Sequence, residues 1–439
     1  MSVKVCKFGG TSMATLESMQ RVIDIVSADE NRKYVIVSAP GKRYSSDEKV
    51  TDLLYACFEE VRQTGACSAN FEKIRERFSD LVGTLDIDFD LEGELNAIEK
   101  NICASKTPDY AASRGEYLSA KIFAAKTGFA FVDSAELIRF NDSGNFNAEY
   151  TNDTVKARLL KVDKAVIPGF YGSQNDGEIK TFSRGGSDIT GAIIARGVDA
   201  EIYENWTDVD GFLTADPRIV VNPKQIKKLS YAELRELSYM GANVLHPEST
   251  FPLKKSKTPI NIRNTFFPER DGTLIVESYE NKEGDSLVTG IAGRKGFTAI
   301  NISKSMMNSE LGFGRRVLSV LEHCGVSFEH IPSGIDTLSV FVADSEIVGK
   351  MERILEKIRE AVSPDNVDIH SGMSLIATVG QGMTEKTGTA ARLFTALARA
   401  DVNIRMIDQG SSEMNIIVGV DTEDYERAIN AVYHEFFKQ

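Results

Sequence analysis

Apolar residues follow two rhythms along this chain. Tyr34-Val35-Ile36-Val37, Phe129-Ala130-Phe131-Val132 and Ala165-Val166-Ile167 are short unbroken runs, the pattern of strands buried on both faces. Between the runs, Leu16, Met19, Val22, Ile23 and Val26 recur at helical spacing. Phe71, Ile74, Phe78 and Leu81 mark one face of a mainly helical region over 69–128. Val3-Lys4-Val5-Cys6 predicts a first strand, Thr51-Asp52 begin another helix, and a strand near Ala200 to Tyr203 closes the set. Asn175-Asp176-Gly177 between two extended stretches predicts a hairpin. Up to about residue 265 this alternation predicts an α/β unit, a mostly parallel sheet between helical layers.

From about residue 296 the pattern becomes a repeat. Gly314–Val342 lies over Ala390–Val418 at a constant offset of 76 residues. Val317 then meets Leu393, Leu321 meets Leu397, Val326 meets Val402, Ile331 meets Ile407 and Gly334 meets Gly410. Each copy reads strand, helix, strand, strand, helix, a split βαβ unit of the ferredoxin-like type. The second copy ends without a last strand, and Val288–Ala292 supplies a candidate, which nests the first copy within the second. Such a pair suits regulation, or a duplicated module used only for dimerisation. The chain therefore divides into 1–265, a linker and contributed strand at 266–295, and small units at 296–371 and 372–439.

Composition narrows the possibilities. With 439 residues, 42% of them hydrophobic and 26% charged, the chain reads as a soluble protein of several domains. A formal charge of −13 without a basic run argues against a nucleic-acid partner, although a nucleotide binds an acidic protein where cations gather. The five cysteines are scattered and lack CxxC spacing, so they read as free thiols in a reducing compartment, with no zinc site. No signal-peptide pattern opens the chain, and no apolar stretch approaches the roughly 20 residues that span a bilayer. The expected location is the cytoplasm, with no membrane partner.

The candidate chemistry gathers at strand ends. Lys7-Phe8-Gly9-Gly10-Thr11-Ser12 carries a strand through two glycines toward a helix, where bare amides at the positive helix end favour phosphate. A tight turn with a surface lysine is the simpler reading of that stretch taken alone. Ser38-Ala39-Pro40-Gly41 ends the second strand, at the sheet edge where ligands bind in open α/β folds. Phe182-Ser183-Arg184-Gly185-Gly186-Ser187-Asp188 repeats the Gly-Gly turn at a helix start with a cation beside it. Thr207-Asp208-Val209-Asp210-Gly211, Asp216 and Arg218 add hydroxyl, carboxylate and guanidinium groups. Two Gly-Gly turns, each near a cation, point to phosphoryl transfer. His246 reads as a packed helix-start histidine, and the lack of a well-placed histidine base favours an acceptor that needs no deprotonation.

KFGGTS, SAPGK, SRGEYLSA, FSRGGSD, TDVDG and GANVLHP, in that order, resemble the aspartate kinase family from Lys7 to about Arg263. The two repeats are similar to its paired ACT domains, and Pro332–Asp336 is similar to its monofunctional, lysine-responsive branch. The resemblance implies the amino-acid kinase fold, ATP with Mg as donor, L-aspartate as acceptor and 4-phospho-L-aspartate as product. An ionised carboxylate is already a nucleophile, so catalysis rests on positioning and charge neutralisation. Lys7 would stabilise the transferring phosphoryl group with the Gly9 and Gly10 amides and Thr11. Asp188 would orient Lys7 or organise the donor site. Arg184, beside Gly185, would grip the substrate α-carboxylate and Glu116 the α-ammonium. Ser38 and Thr51 would offer hydroxyls to the acceptor. Thr207, Asp208, Asp210 and Arg218 fit the nucleotide pocket. Asn243, where a lysine is common, and Leu213, where an aromatic residue is common, depart from the pattern on the nucleotide side. Arg114 reads equally well as a surface residue.

For regulation, the resemblance places an effector amino acid, lysine foremost, at Met307, Asn308, Ser309, Gly312, Phe313 and Gly314, with Ser327, Phe328, Glu329 and Asp336 beside them. Glu329 and Asp336 would face the effector's ammonium groups, in a homodimer built through the ACT domains or a tetramer. Two rivals stand beside this reading. A kinase of the same fold acting on a carbamate, an N-acetylated glutamate or a nucleoside monophosphate is disfavoured by Glu116 together with Arg184. A catalytically silent amino-acid sensor is disfavoured by the intact set of Lys7, Arg184 and Asp188.

Overall fold

Unbroken apolar runs need cover on both faces, and the sheet they form has it. A computed structural model describes all residues except Met1, Thr84, Asp86, Arg184, Asn243, His246, 281–285, Glu385, Lys438 and Gln439. Two compact units result. One holds Met1–Phe212, Lys227–Tyr231 and Asn243–Tyr279; the other holds Leu213–Ile226, Ala232–Ala242 and Glu280–Gln439.

The first unit is built on an eight-stranded sheet. Its strands are β1 (Lys4–Phe8), β2 (Arg32–Val37), β3 (Ala130–Phe131), β4 (Ala165–Pro168), β7 (Ile202–Thr207), β8 (Lys228–Ser230), β9 (Ile260–Asn264) and β10 (Thr273–Val276), in the order β3-β4-β2-β1-β7-β9-β10-β8. The strands β5 (Tyr171–Ser173) and β6 (Ile179–Thr181) form a separate hairpin around Gly177, whose φ of 88° suits the turn. All neighbours in the large sheet are parallel except β9 and β10. The chain leaves β1 for β2 on one side, and β7 later joins its other side. That makes the carboxyl end of β1 a topological switch point, where loops diverge and leave a crevice.

Alternation along β1 sends Cys6 and Phe8 to one face and Val5 and Lys7 to the other. The first face is covered by α1 (Leu16–Ser27), α2 (Val50–Thr64), α3 (Ser68–Val82), α4 (Leu91–Ala104) and α5 (Pro108–Thr127), whose buried Met19, Leu54, Phe78, Leu95 and Phe123 join Cys6 and Phe8 in one core. Deep in this face Glu204 receives Arg32 at 2.8 Å and the Trp206 indole at 3.0 Å, fixing β2, β1 and β7 in register. Cys6 lies against the same glutamate, and burial pushes its thiol well above the ordinary range. On the second face, after the short α6 (Ser134–Leu137), α7 (Ala148–Leu159) and α8 (Gly186–Gly197) pack together, with α8 against β1 and β7. Arg114 on α5 is buried beneath the rings of Tyr110, Tyr117 and Tyr171, each 4.4 to 5.1 Å from its guanidinium carbon, so it is no surface residue.

The second unit carries a five-stranded antiparallel sheet. Two of its strands, β11 (Gly290–Ser303) and β13 (Asn366–Val379), run 14 residues each and pair along their length. Gly296 and Gly372, both at positive φ, interrupt them midway. One end of this ribbon pairs with β12 (Thr337–Ala343) and bears the core of Ile300, Val317, Val340 and Ile358. The other end, where Gly290–Lys295 faces Ser374–Val379, continues into β15 (Asn415–Asp421) and β14 (Ile404–Asp408) over the core of Leu393, Val418, Ile429 and Val432. Gly312 and Gly388, at φ of 78° and 87°, open equivalent helices Phe313–His323 and Thr389–Arg399, so the sequence repeat is also a backbone repeat. The first copy differs in one strand. Where the second has β14, the first has only bridges from His330 to Phe341 and from Ser333 to Leu338, because Pro332 lies between them and donates no hydrogen bond.

Gly191 tests how α8 is seated. A Cβ there would fall 2.4 Å from the Tyr203 hydroxyl and 2.5 Å from its ring. Helix propensity favours alanine by about 0.8–1 kcal/mol, whereas overpacking costs about 1–3 kcal/mol. Gly191→Ala is expected to lower the denaturation midpoint of the first unit, measured by urea unfolding.

Candidate active site

At the carboxyl end of β1 the Lys7 side chain, almost fully buried, rises on the α8 face. Its ammonium meets Asp188 Oδ1 at 2.6 Å. Asp188 stands in the first turn of α8, Asn205 of β7 donates to its carboxylate at 2.9 Å, and the Tyr203 hydroxyl donates to its carbonyl at 3.2 Å. One cation is thus held between a strand and a helix start by an aspartate whose carboxylate and backbone carbonyl are each held by β7. The Gly185 backbone, at φ of 57°, turns the chain into α8, a left-handed position that glycine takes without strain. Arg184 lies outside the described residues, as do Asn243 and His246.

The Gly-Gly turn after β1 differs from the expected strand-to-helix passage. Gly9 caps a single 3₁₀ turn, Gly10–Met13, and α1 begins only at Leu16, where Thr15 and Ser18 form a capping box. The Gly9 amide is spent on the Trp206 carbonyl at 3.1 Å, while the Gly10 and Thr11 amides have no hydrogen-bond partner among the described residues. The turn is pressed against the loop after β2. The Gly41 amide donates to the Gly10 carbonyl at 2.8 Å, and a Cβ on Gly41 would sit 2.7 Å from the Gly10 carbonyl carbon. Only glycine lets these two backbones touch.

Between these walls lies a cavity of about 530 Å³ lined by Lys7, Gly9, Gly10, Thr11, Ser38, Gly41, Lys42, Lys49, Thr51, Glu116, Thr207 and Asp208. It adjoins a second space of about 310 Å³, where Lys7, Ser38, Lys49, Thr51 and Glu116 recur and Asp52, Phe170, Gly185, Ser187 and Asp188 join them. Most of the expected site residues are therefore brought together. Asp210 is not in the lining; it receives Asn264 at 2.8 Å and Arg270 at 2.5 Å. Arg218 belongs to the second unit, where it is exposed and grips Asp216 at 2.6 Å.

Glu116, on α5, is the most perturbed group in the cleft. Its Oε2 is buried without a partner, and burial pushes the carboxyl up to about 8, against the Ala39 amide that pulls it down. Sequence reasoning passed over Asn205, Lys42 and Lys49. Asn205 was signalled only by a polar residue in a buried strand, and the lysines only as part of a charged loop.

In the second unit, Met307–Ser309 forms a single turn and Gly312 opens the following helix at Phe313 and Gly314. The Asn308 amide donates to the Ile335 carbonyl at 3.1 Å, which brings the loop beside Asp336. Ser327 and Phe328 lie on the neighbouring segment, Phe328 exposed. Glu329, expected to face an effector, is engaged by the Tyr239 hydroxyl at 2.5 Å and Arg294 at 3.6 Å.

Comparison with known proteins agrees with this geometry. Residues 2–264 match the amino acid kinase family and residues 376–436 the ACT domain. Aspartokinase 3 of Bacillus subtilis is 40% identical over 99% of both chains. The crystal structure of Clostridium acetobutylicum aspartate kinase, 50% identical, superposes with a TM-score of 0.93 over the whole of both chains. Escherichia coli aspartokinase III matches in complex with aspartate and ADP (R-state; 26% identity, TM-score 0.76, all of both chains) and with lysine and aspartate (T-state; 27%, 0.77, 99% of this chain and all of that one). The chain belongs to the aspartokinase family, with an amino acid kinase catalytic region followed by ACT domains.

Proposed function

We propose that this aspartate kinase transfers the γ-phosphoryl group of ATP to the β-carboxylate of L-aspartate through the cleft at the end of β1. The product is 4-phospho-L-aspartate, the first intermediate toward lysine, threonine and methionine. The observation that carries the assignment of roles is the buried Lys7–Asp188 pair at the switch point of the sheet, facing a cleft into which Glu116 brings a carboxyl group with one unpartnered oxygen. The acceptor carboxylate arrives ionised and needs no base. Lys7 neutralises charge on the phosphoryl group in transit, Asp188 holds its ammonium in place, and the Gly10 and Thr11 amides cradle the phosphates. Thr207 and Asp208 form the nucleotide end. Ser38 and Thr51 orient the acceptor, Glu116 receives its α-ammonium and Arg184 its α-carboxylate.

Among the described residues no three histidine, cysteine or acidic side chains gather to hold a metal ion. A magnesium ion would be carried on the nucleotide's phosphates, with Asp208, in the cleft lining, as the carboxylate that would hold it. When bound, the ion would screen phosphate charge. The E. coli relative that binds lysine supports a lysine effector, alone or with threonine, at the Met307–Gly314 loop with Asp336. The ACT domains would then build a homodimer. No helix among the described residues is long and apolar enough to cross a membrane.

Trapping acyl phosphate as the hydroxamate, with ATP, magnesium and aspartate, tests the reaction. Turnover that lysine suppresses is expected, whereas lysine binding without turnover would point to a sensor. Lys7→Ala should lower kcat by about 10²-fold or more with unchanged far-UV circular dichroism; near-parent activity would remove Lys7 from the chemistry.

Glu116 gives a signature in protons. The unliganded protein keeps a proton at neutral pH on this carboxyl, pushed up to about 8, and an ammonium beside it expels that proton. Calorimetry in buffers of different ionisation enthalpy should show about one proton released when aspartate binds near pH 7, and none in Glu116→Gln. The sign for stability follows. The unfolded chain gives this proton up near 4.5 and the folded chain only near 8, so raising the pH through that window costs stability, and Glu116→Gln flattens the slope of denaturation midpoint against pH.

A further inference from the structure

The loop that leaves β2 ends in a lysine placed against the rules of helix formation. Lys49 is the N-cap of α2, its side chain makes no capping hydrogen bond, and its cation stands at the positive end of a 15-residue helix. An oxygen-bearing side chain there would satisfy an amide, and a carboxylate would also suit the dipole. A residue that breaks a local rule without a compensating contact is a mark of function. Lys49 is exposed, and its ammonium forms no ion pair or hydrogen bond with any described residue, although its carbonyl accepts from the Leu53 amide at 3.1 Å. It lines both spaces of the cleft, a property shared by Lys7, Ser38, Thr51 and Glu116. Lys7 is committed to Asp188 at 2.6 Å, so among the described residues Lys49 is the uncommitted cation that lines both spaces.

The loop before it is fastened from beneath. Arg77 of α3, only 4% exposed, donates to Asp47 Oδ2 at 2.7 Å, to the Glu48 carbonyl at 3.1 Å and to the Gly41 carbonyl at 2.7 Å. One guanidinium thus ties the start of the loop to its end. Arg43 closes on the same carboxylate through its side chain at 3.0 Å and its amide at 2.9 Å, and these donors hold the Asp47 carboxyl well below the usual range. Glu48 immediately precedes Lys49, so the anchor fixes the backbone from which Lys49 projects.

We propose that Lys49 is a second catalytic cation, which shares with Lys7 the charge on the phosphoryl group in transit, and that Arg77 is the positioning residue that holds it. The inference rests on the kinase reading above, and parent turnover of aspartate measured alongside separates failure of one from failure of the other. Lys49→Ser supplies the missing cap and removes the cation. It should raise the melting temperature while lowering kcat by about 10²-fold, and Lys49→Arg should keep most of the activity. Turnover within about twofold of the parent in Lys49→Ser would overturn the proposal. A kcat loss accompanied by a lower melting temperature would overturn it too, by assigning Lys49 to the fold. Arg77→Lys keeps a cation against Asp47 but cannot also span to Gly41. Its kcat loss should vanish in the Lys49→Ser background, and additive losses would deny Arg77 the positioning role.

Discussion

A lysine ammonium cannot be buried without something to hold it, and the organisation of the first unit answers that constraint. Lys7 is on a central strand, Asp188 on the helix that covers it, and Asn205 on the next strand, so the pair exists only when β1, β7 and α8 are packed together. Register is set on the opposite face, where Glu204, Arg32 and Trp206 bind the same strands in a buried polar cluster. Breaking a buried ion pair costs far more than making it gains. The polar core beneath the sheet and the charged site above it therefore depend on the same alignment of strands.

The cleft balances charge unevenly along its length. Lys7 is neutralised by Asp188, Glu116 keeps a proton because burial forbids its charge, and the loop lysines bring the remaining cations from outside. Among the described residues the cleft thus carries little unpaired buried charge, and in the proposed reaction the phosphates and the acceptor bring the counter-ions. This suits an overall acidic protein with an anionic donor: the attraction is local and short in range, while the surface as a whole gives little steering.

Much of the architecture was legible because buried parallel strands and amphipathic helices write different periods into a sequence. The doubled ferredoxin-like unit was legible for the same reason, and the structure extends the repeat to the paired Gly312 and Gly388. Three things were not. The Gly-Gly turn leads to a 3₁₀ turn because Thr15 and Ser18 start α1 five residues on, a local cap that outranks the longer pattern. Asn205 and Lys49 enter the site through topology, and no spacing announces which strand end lies beside which loop. Arg114, hydrophilic by type, is buried because three tyrosine faces receive its guanidinium, a contact among distant residues.

The long strands β11 and β13 give the regulatory unit an unusual kind of indivisibility. Each serves two cores in succession, with its side chains alternating between faces in both. Sliding one strand by a single position would turn the apolar residues of both cores outward at once. Neither half can change its pairing alone, and no cut between the repeats leaves an intact strand on either side. A strain applied at one core has a continuous hydrogen-bonded ladder, bent at Gly296 and Gly372, along which to reach the other. What the sequence presents as two modules is, in mechanical terms, one lever with two ends.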